Sequence, residues 1–101
     1  MDRGARANLW QAAALGLMDR VRPYFESASA PARDEVTTPF WCACHGGQRE
    51  SAAYLLEQGA DINWLGFDEL TPLDAARQSG AQDLARWLDA RGAKSTRDVR
   101  R

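Results

Sequence analysis

A chain of 101 residues sets the expectation of a single small domain. Its hydrophobic fraction of 45% is ordinary for a folded core and too high for a disordered segment. A formal net charge of −1 excludes the broad basic field of a nucleic-acid binder, and no apolar run approaches the roughly 18 residues of a membrane span.

At the start, Arg3 and Arg6 precede the apolar run Leu9–Met18, a faint imitation of a secretory signal. Gln11 interrupts it and Asp19-Arg20 follow without a cleavage site, so export is not expected. Leu9, Trp10, Ala12 and Ala13 predict one helix, Gly16 a turn, and Val21, Tyr24 and Phe25 a second helix. Pro23 removes one backbone bond from that second helix and predicts a kink or a short helix. The segment Glu26–Val36, rich in Ala, Ser and Pro, predicts an irregular loop.

Thr38-Pro39 then predicts a helix start, with the helix running to about His45 and Gly46-Gly47 making the turn. The next helix covers about Arg49–Gln58, with Ala52, Leu55 and Leu56 inward and Gly59 ending it. Thr71 and Pro72 open a third pair, with Thr71 as N-cap and the Asp74 carboxylate reaching back to the Thr71 N–H. Ala75 and Ala76 keep that helix thin, and Gly80 breaks it. A last helix from about Gln82 to Ala90 carries Leu84, Ala85 and Leu88 on one stripe, ended by Gly92. The two Thr-Pro pairs lie 33 residues apart (71 minus 38), as do Gly47 and Gly80 (80 minus 47).

The stretch 38–63, with its Thr-Pro start, small residues, Gly turn and Leu-Leu-x-x-Gly-Ala-Asp-x-Asn ending, resembles the ankyrin repeat. The composition and the Trp-Leu-Gly-Phe-Asp segment look like small bacterial members of that family. The resemblance implies an all-α ankyrin-repeat solenoid of three stacked helix pairs with short hairpin fingers. The units run over about 7–36, a degenerate N-terminal cap, about 37–69, and about 70–95, a C-terminal cap, with 96–101 a basic tail. Lys94, Arg97, Arg100 and Arg101 are read as frayed and solvated. Gln82, Asp83, Arg86 and Asp89 suit a polar outer face, so the C-terminal end of the stack reads as complete. Glu69 stands where the family usually has Gly, which predicts a less regular finger turn.

Chemistry finds little support in the pattern. Cys42, Cys44 and His45 form a Cys-x-Cys-His cluster, but a zinc site needs about four converging ligands. Cys44 stands where the resemblance implies a packed Ala and so should point into the core, leaving Cys42 half-buried and His45 exposed; the spacing of the two thiols excludes a disulfide between them, and no metal is expected. A Cys–His nucleophile would need an orienting group and an oxyanion pocket, and neither is visible. Gly46-Gly47 lacks the lysine and the preceding strand of a phosphate loop. Asp61, Asp68 and Asp74 are explained by turns and caps.

The tryptophans carry more information. Trp10 and Trp41 share one repeat position, where most ankyrin repeats have His, and are read as neighbours in the core. Trp87 is expected to be partly buried at the end of the stack. Trp64, Leu65, Phe67 and Leu70 crowd the finger, and two readings compete: a minicore beneath it and a patch for a partner. The functional expectation is a non-catalytic, cytoplasmic monomer that binds another protein and takes no cofactor, nucleic acid or membrane. Its contact residues are Trp64, Leu65, Phe67, Asp68 and Leu70 of the finger with His45, Gln78 and Ser79 of the helix ends. The alternative is a capping fragment of a longer array that self-associates through an N-terminal face near Leu9, Trp10 and Tyr24.

Overall fold

The computed structural model describes residues 2–26 and 33–99, with side chains described at 9–23, 25 and 35–99. It is all-helical: α1 (Asp2–Leu15), α2 (Met18–Glu26), α3 (Arg33–His45), α4 (Arg49–Glu57), α5 (Pro72–Gln78), α6 (Gln82–Ala90) and α7 (Thr96–Val99). A single 3-10 turn, Phe67–Glu69, lies between α4 and α5, and no strand occurs among the described residues. α1 packs on α2 and α3, α3 on α4 and α5, and α5 on α6, so each pair touches its neighbours in a solenoid.

The glycines define the turns as the sequence predicts. Gly47 and Gly80 leave their helices at φ 73° and 80°, a conformation that only glycine adopts without strain. Each closes the preceding helix identically. Gly47 N–H donates to Cys44 O at 3.1 Å and Gln48 N–H to Ala43 O at 2.8 Å; Gly80 N–H donates to Arg77 O at 3.1 Å and Ala81 N–H to Ala76 O at 2.9 Å. The last carbonyls of the helix are thereby satisfied within the turn.

Small side chains let the helices approach. Ala12, Ala13, Ala43, Cys44, Ala52 and Ala76 lie buried among Val21, Phe25, Val36, Phe40, Leu55, Leu73, Leu84 and Leu88. Ser51, also buried, donates its hydroxyl to Met18 Sδ at 3.3 Å and ties α4 to α2. α2 runs through Pro23 to Glu26. Gln82, Asp83, Arg86 and Asp89 are exposed on α6.

Two expectations fail here. The helix does not start at Thr38-Pro39: α3 begins at Arg33 and carries Pro39 inside it. The loop expected over Glu26–Val36 is therefore helical from residue 33, and residues 27–32 lie outside the described part. Tertiary contacts account for the extension. Val36 is fully buried, and Thr37 Oγ1 accepts the Asp61 N–H at 2.9 Å, so the added turn is anchored at both residues. Together these outweigh the one ladder bond that Pro39 cannot make.

The tail is also not frayed over its described residues. Thr71 caps α5 as expected, its Oγ1 accepting the Asp74 N–H at 3.3 Å. The Asp74 carboxylate, however, accepts from Thr96 N–H at 2.7 Å instead of returning to Thr71. The Thr71 N–H donates to Thr96 Oγ1 at 3.0 Å, and that hydroxyl donates to Glu69 O at 2.8 Å. Lys94 N–H adds a bond to Asn63 Oδ1 at 2.7 Å. The backbone is thus pinned while Lys94 and Arg97 stay exposed; Arg100 and Arg101 lie outside the described residues.

Thr96→Val keeps the shape and removes the hydroxyl, leaving the Thr71 N–H and Glu69 O without it. Thr71 is fully buried, so we expect a loss of about 2 kcal/mol in urea unfolding. Thr96→Ser should restore most of it. An unchanged midpoint for the valine variant would show that the clamp contributes nothing.

Candidate partner-binding surface

The finger leaves α4 through a polar base. Asn63 N–H donates to Asp61 Oδ1 at 3.0 Å and Trp64 N–H to Asp61 O at 3.3 Å, so the aspartate turns the chain with both its side chain and its backbone. At the tip, Gly66 N–H donates to Leu70 O at 2.9 Å and closes the loop around Phe67–Glu69. Asp68 and Glu69 both sit at φ 57°. Glu69, in the place where a glycine is usual, thus holds a left-handed conformation, which costs a side-chain-bearing residue about 1 kcal/mol or more.

Trp41 is the post on which this finger rests. It is 5% exposed, and its indole Nε1–H donates to Leu70 O at 2.8 Å. Gly66 lies against it: a Cβ there would fall 2.8 Å from Trp41 Nε1 and 2.7 Å from Trp64 Cζ3. Only a residue without a side chain lets two indoles close on that backbone. The equivalent place in the third unit is Asp74 (74 minus 41 is 33), which holds the following segment through Thr96. One repeat position therefore anchors the next connection in both units, once with an indole and once with a carboxylate.

Phe67 gathers three tryptophans from three segments. Its ring centroid lies 5.1 Å from Trp41, 6.1 Å from Trp64 and 6.4 Å from Trp10, each pair edge to face. Trp41 also stacks on His45, 5.3 Å between centroids and 7° from parallel. Such pairs add roughly 0.5–1.5 kcal/mol each beyond the area they bury. Phe67 still keeps 48% of its surface in water and Trp10 36%. The expectation that Trp10 and Trp41 share the core is corrected: Trp41 is buried, Trp10 is at the surface, and the finger's phenylalanine touches both.

Of the other expected contact residues, Trp64, Leu65 and Leu70 are half-buried in or beside the cluster and Asp68 is exposed at its tip. His45 joins the cluster through Trp41. Gln78 and Ser79 are exposed at the end of α5, and Ser79 Oγ donates to Ala76 O at 3.1 Å. No hydrogen bond or ring contact joins either to the cluster among the described residues. Trp10 was missed as a surface residue. Its only sequence signal was the lack of any finger before its unit to cover it.

Trp87 is half-buried at the end of the stack, with the Arg91 guanidinium over its ring at 4.8 Å. Cys44 is fully buried and Cys42 half-buried, and both are free thiols. Burial pushes the Cys42 thiol up to about 11. It pushes Cys44 higher still, helped by its neighbour Cys42. No group of three or more His, Cys, Asp or Glu able to hold a metal exists among the described residues. No described helix is long and apolar enough to cross a membrane.

Because only the thiolate reacts, alkylation of Cys42 should be slow at neutral pH and climb as pH rises toward about 11. Cys44 should react only on unfolding. Mass spectrometry of iodoacetamide-treated protein reads both, and labelling of Cys44 in the folded protein at the rate of Cys42 would contradict the assigned burial.

Comparison with known proteins agrees with this architecture. The pattern described as ankyrin repeats (3 copies) matches residues 9–98. The ankyrin repeat and KH domain-containing protein mask-1 of Caenorhabditis elegans is 33% identical over 51 residues, 50% of this chain and 2% of that protein. Among solved structures, a chain from the complex of the Bd0816 predatory endopeptidase of Bdellovibrio bacteriovorus with immunity protein Bd3460 superposes with a TM-score of 0.73 at 27% identity. That match covers 85% of this chain and 46% of the other, so this chain spans less than half of the neighbour's length. With helix pairs stacked one on the next, repeated glycine closures and a family match over nearly its whole length, the chain belongs to the ankyrin-repeat family.

Proposed function

We propose that this chain is a non-catalytic protein-binding module that engages its partner through the finger and the helix ends beside it. The contact surface comprises Trp64, Leu65, Phe67, Asp68 and Leu70, with His45, Gln78 and Ser79 at its margin. The observation that carries this reading is Phe67: it touches three indoles yet keeps 48% of its surface in water. An aromatic side chain held rigid from below and open above needs little ordering on binding, and such residues dominate interfaces. Ankyrin repeats are in general protein-interaction modules, and the solved neighbour comes from a complex of two proteins. The two cysteines with no disulfide between them suit a reducing, cytoplasmic setting.

The test is capture of a partner with the wild-type protein and its affinity for Phe67→Ala. Loss of about 2 kcal/mol of binding is expected, the scale of an interface hot spot. Unfolding stability should fall by about 1 kcal/mol. Unchanged affinity with a large loss of stability would assign the ring to a minicore alone.

A second reading, self-association through the N-terminal unit, has one observation in its favour: Leu15 is 64% and Leu17 37% exposed on either side of Gly16. Its surface differs from the one expected, because Leu9 is buried and the Tyr24 side chain lies outside the described residues. Sedimentation that depends on concentration and is abolished by Leu15→Ser would favour it.

A further inference from the structure

We infer that the aromatic finger surface takes a basic side chain, arginine or lysine, presented by a partner protein. The inference rests on the protein-binding reading above and adds the chemistry of what binds.

Charge is distributed very unevenly along the chain. Residues 34–76 contain eight carboxylates and a single basic residue, Arg49. Arg49 lies on α4 with its guanidinium 6.0 Å from the Trp87 ring, and so belongs to the outer helices. Among the described residues, Glu50 pairs with Arg22 at 3.4 Å and Asp74 with Arg77 at 3.7 Å. Asp68 is exposed and follows Phe67 directly, with Glu69 exposed one residue further on. Asp68 thus puts an exposed carboxylate next to the open ring of Phe67, while the backbone of Lys94 meets the finger base at Asn63.

That combination selects among occupants. An acidic partner segment would meet like charge. A purely apolar one would cover the rings but strip water from neighbouring carboxylates without replacing it, which is unfavourable. A guanidinium or ammonium does both tasks: its stem packs on ring surface and its charge sits over a π face near a carboxylate. The chain already uses this contact elsewhere, with Arg91 over Trp87 at 4.8 Å and Arg22 over Tyr54 at 6.0 Å.

The test needs no native partner. Three short capped peptides, identical except for two positions occupied by arginine, by neutral citrulline or by glutamate, are titrated into nitrogen-15-labelled protein. The readout is the set of indole Nε1–H signals, assigned by Trp→Phe variants. The arginine peptide should move Trp10 and Trp64 and leave Trp87 in place. Its affinity should fall several-fold between about 20 mM and about 300 mM NaCl, as screening requires. Asp68→Asn should weaken it by about 3-fold, the scale of one exposed charge. Asparagine tolerates the left-handed backbone at 68, so this variant keeps the loop.

Equal binding of the citrulline peptide, or tighter binding of the glutamate peptide, overturns the charge assignment. If Phe67→Ala abolishes that binding, the finger remains the contact surface. If no peptide moves Trp10 or Trp64, or if the arginine response survives both Asp68→Asn and Phe67→Ala, the inference is wrong. The binding surface then stands or falls on the capture experiment with Phe67→Ala.

Discussion

Trp41→Ala should lower unfolding stability by about 4 kcal/mol, as expected for removing a buried indole from a packed site. Two losses combine. The ring is 5% exposed, packed against His45 and Phe67, and its removal leaves a cavity beneath the finger. The Leu70 carbonyl also loses the Nε1–H bond it receives at 2.8 Å. Trp41→Phe separates them, since it keeps most of the packing and removes the donor; about 1–2 kcal/mol should be lost there. The same substitutions should release Phe67, and with it the environment of the Trp64 indole. Urea unfolding gives the energies and the Trp64 Nε1–H shift reports the finger. A loss below about 1 kcal/mol for the alanine variant, with the Trp64 signal unmoved, would mean that the finger holds itself in place.

Gly46→Ala should cost about 3 kcal/mol for a steric reason alone. A methyl group at 46 would be driven into the Ala14 backbone carbonyl of α1, and its nearest neighbours are all backbone atoms of Ala14. A flexible side chain could swing aside; a helix backbone can yield only by separating α1 from α3. Gly46 does not have a positive φ, so conformational strain contributes nothing. Gly80 provides the matched control. It has φ 80° and open space where a Cβ would sit, so Gly80→Ala should show only left-handed strain of about 1 kcal/mol. Thermal unfolding of both variants compares a clash with a backbone preference on one scaffold. Equal losses would mean that the α1–α3 contact gives way freely.

How far the sequence leads depends on the distance over which each feature is decided. The glycine turns, the alanine-rich first helices, the stripe of Leu84, Ala85 and Leu88, and the Thr71 cap are all set within a few residues. A left-handed turn needs glycine wherever it lies, and a capping hydroxyl meets an N–H three residues on. These features recur at a fixed spacing, which is why the helix pairs and their turns were legible in the sequence, while the burial of Cys44 and the place of the finger followed from the resemblance to the ankyrin repeat. The competing readings of the finger, minicore and patch, could not be separated there, because the same large apolar residues serve both.

What tertiary structure decided lies between residues far apart in the chain. The start of α3 was misplaced because Thr38-Pro39 is a valid local start, whereas the longer helix is favoured by the burial of Val36 and by Asp61, 24 residues on from Thr37. Trp41 reads as ordinary core until Leu70, 29 residues on, is seen to accept its N–H. Asp74 reads as half of a capping box until Thr96, 22 residues on, takes its carboxylate. For Asp74 a local partner, the Thr71 N–H, and a distant one, the Thr96 N–H, compete for the same carboxylate; Thr37 and Trp41 gain partners that no local reading offers. Packing of the neighbouring unit decides these outcomes, because it fixes which partner arrives within hydrogen-bond reach.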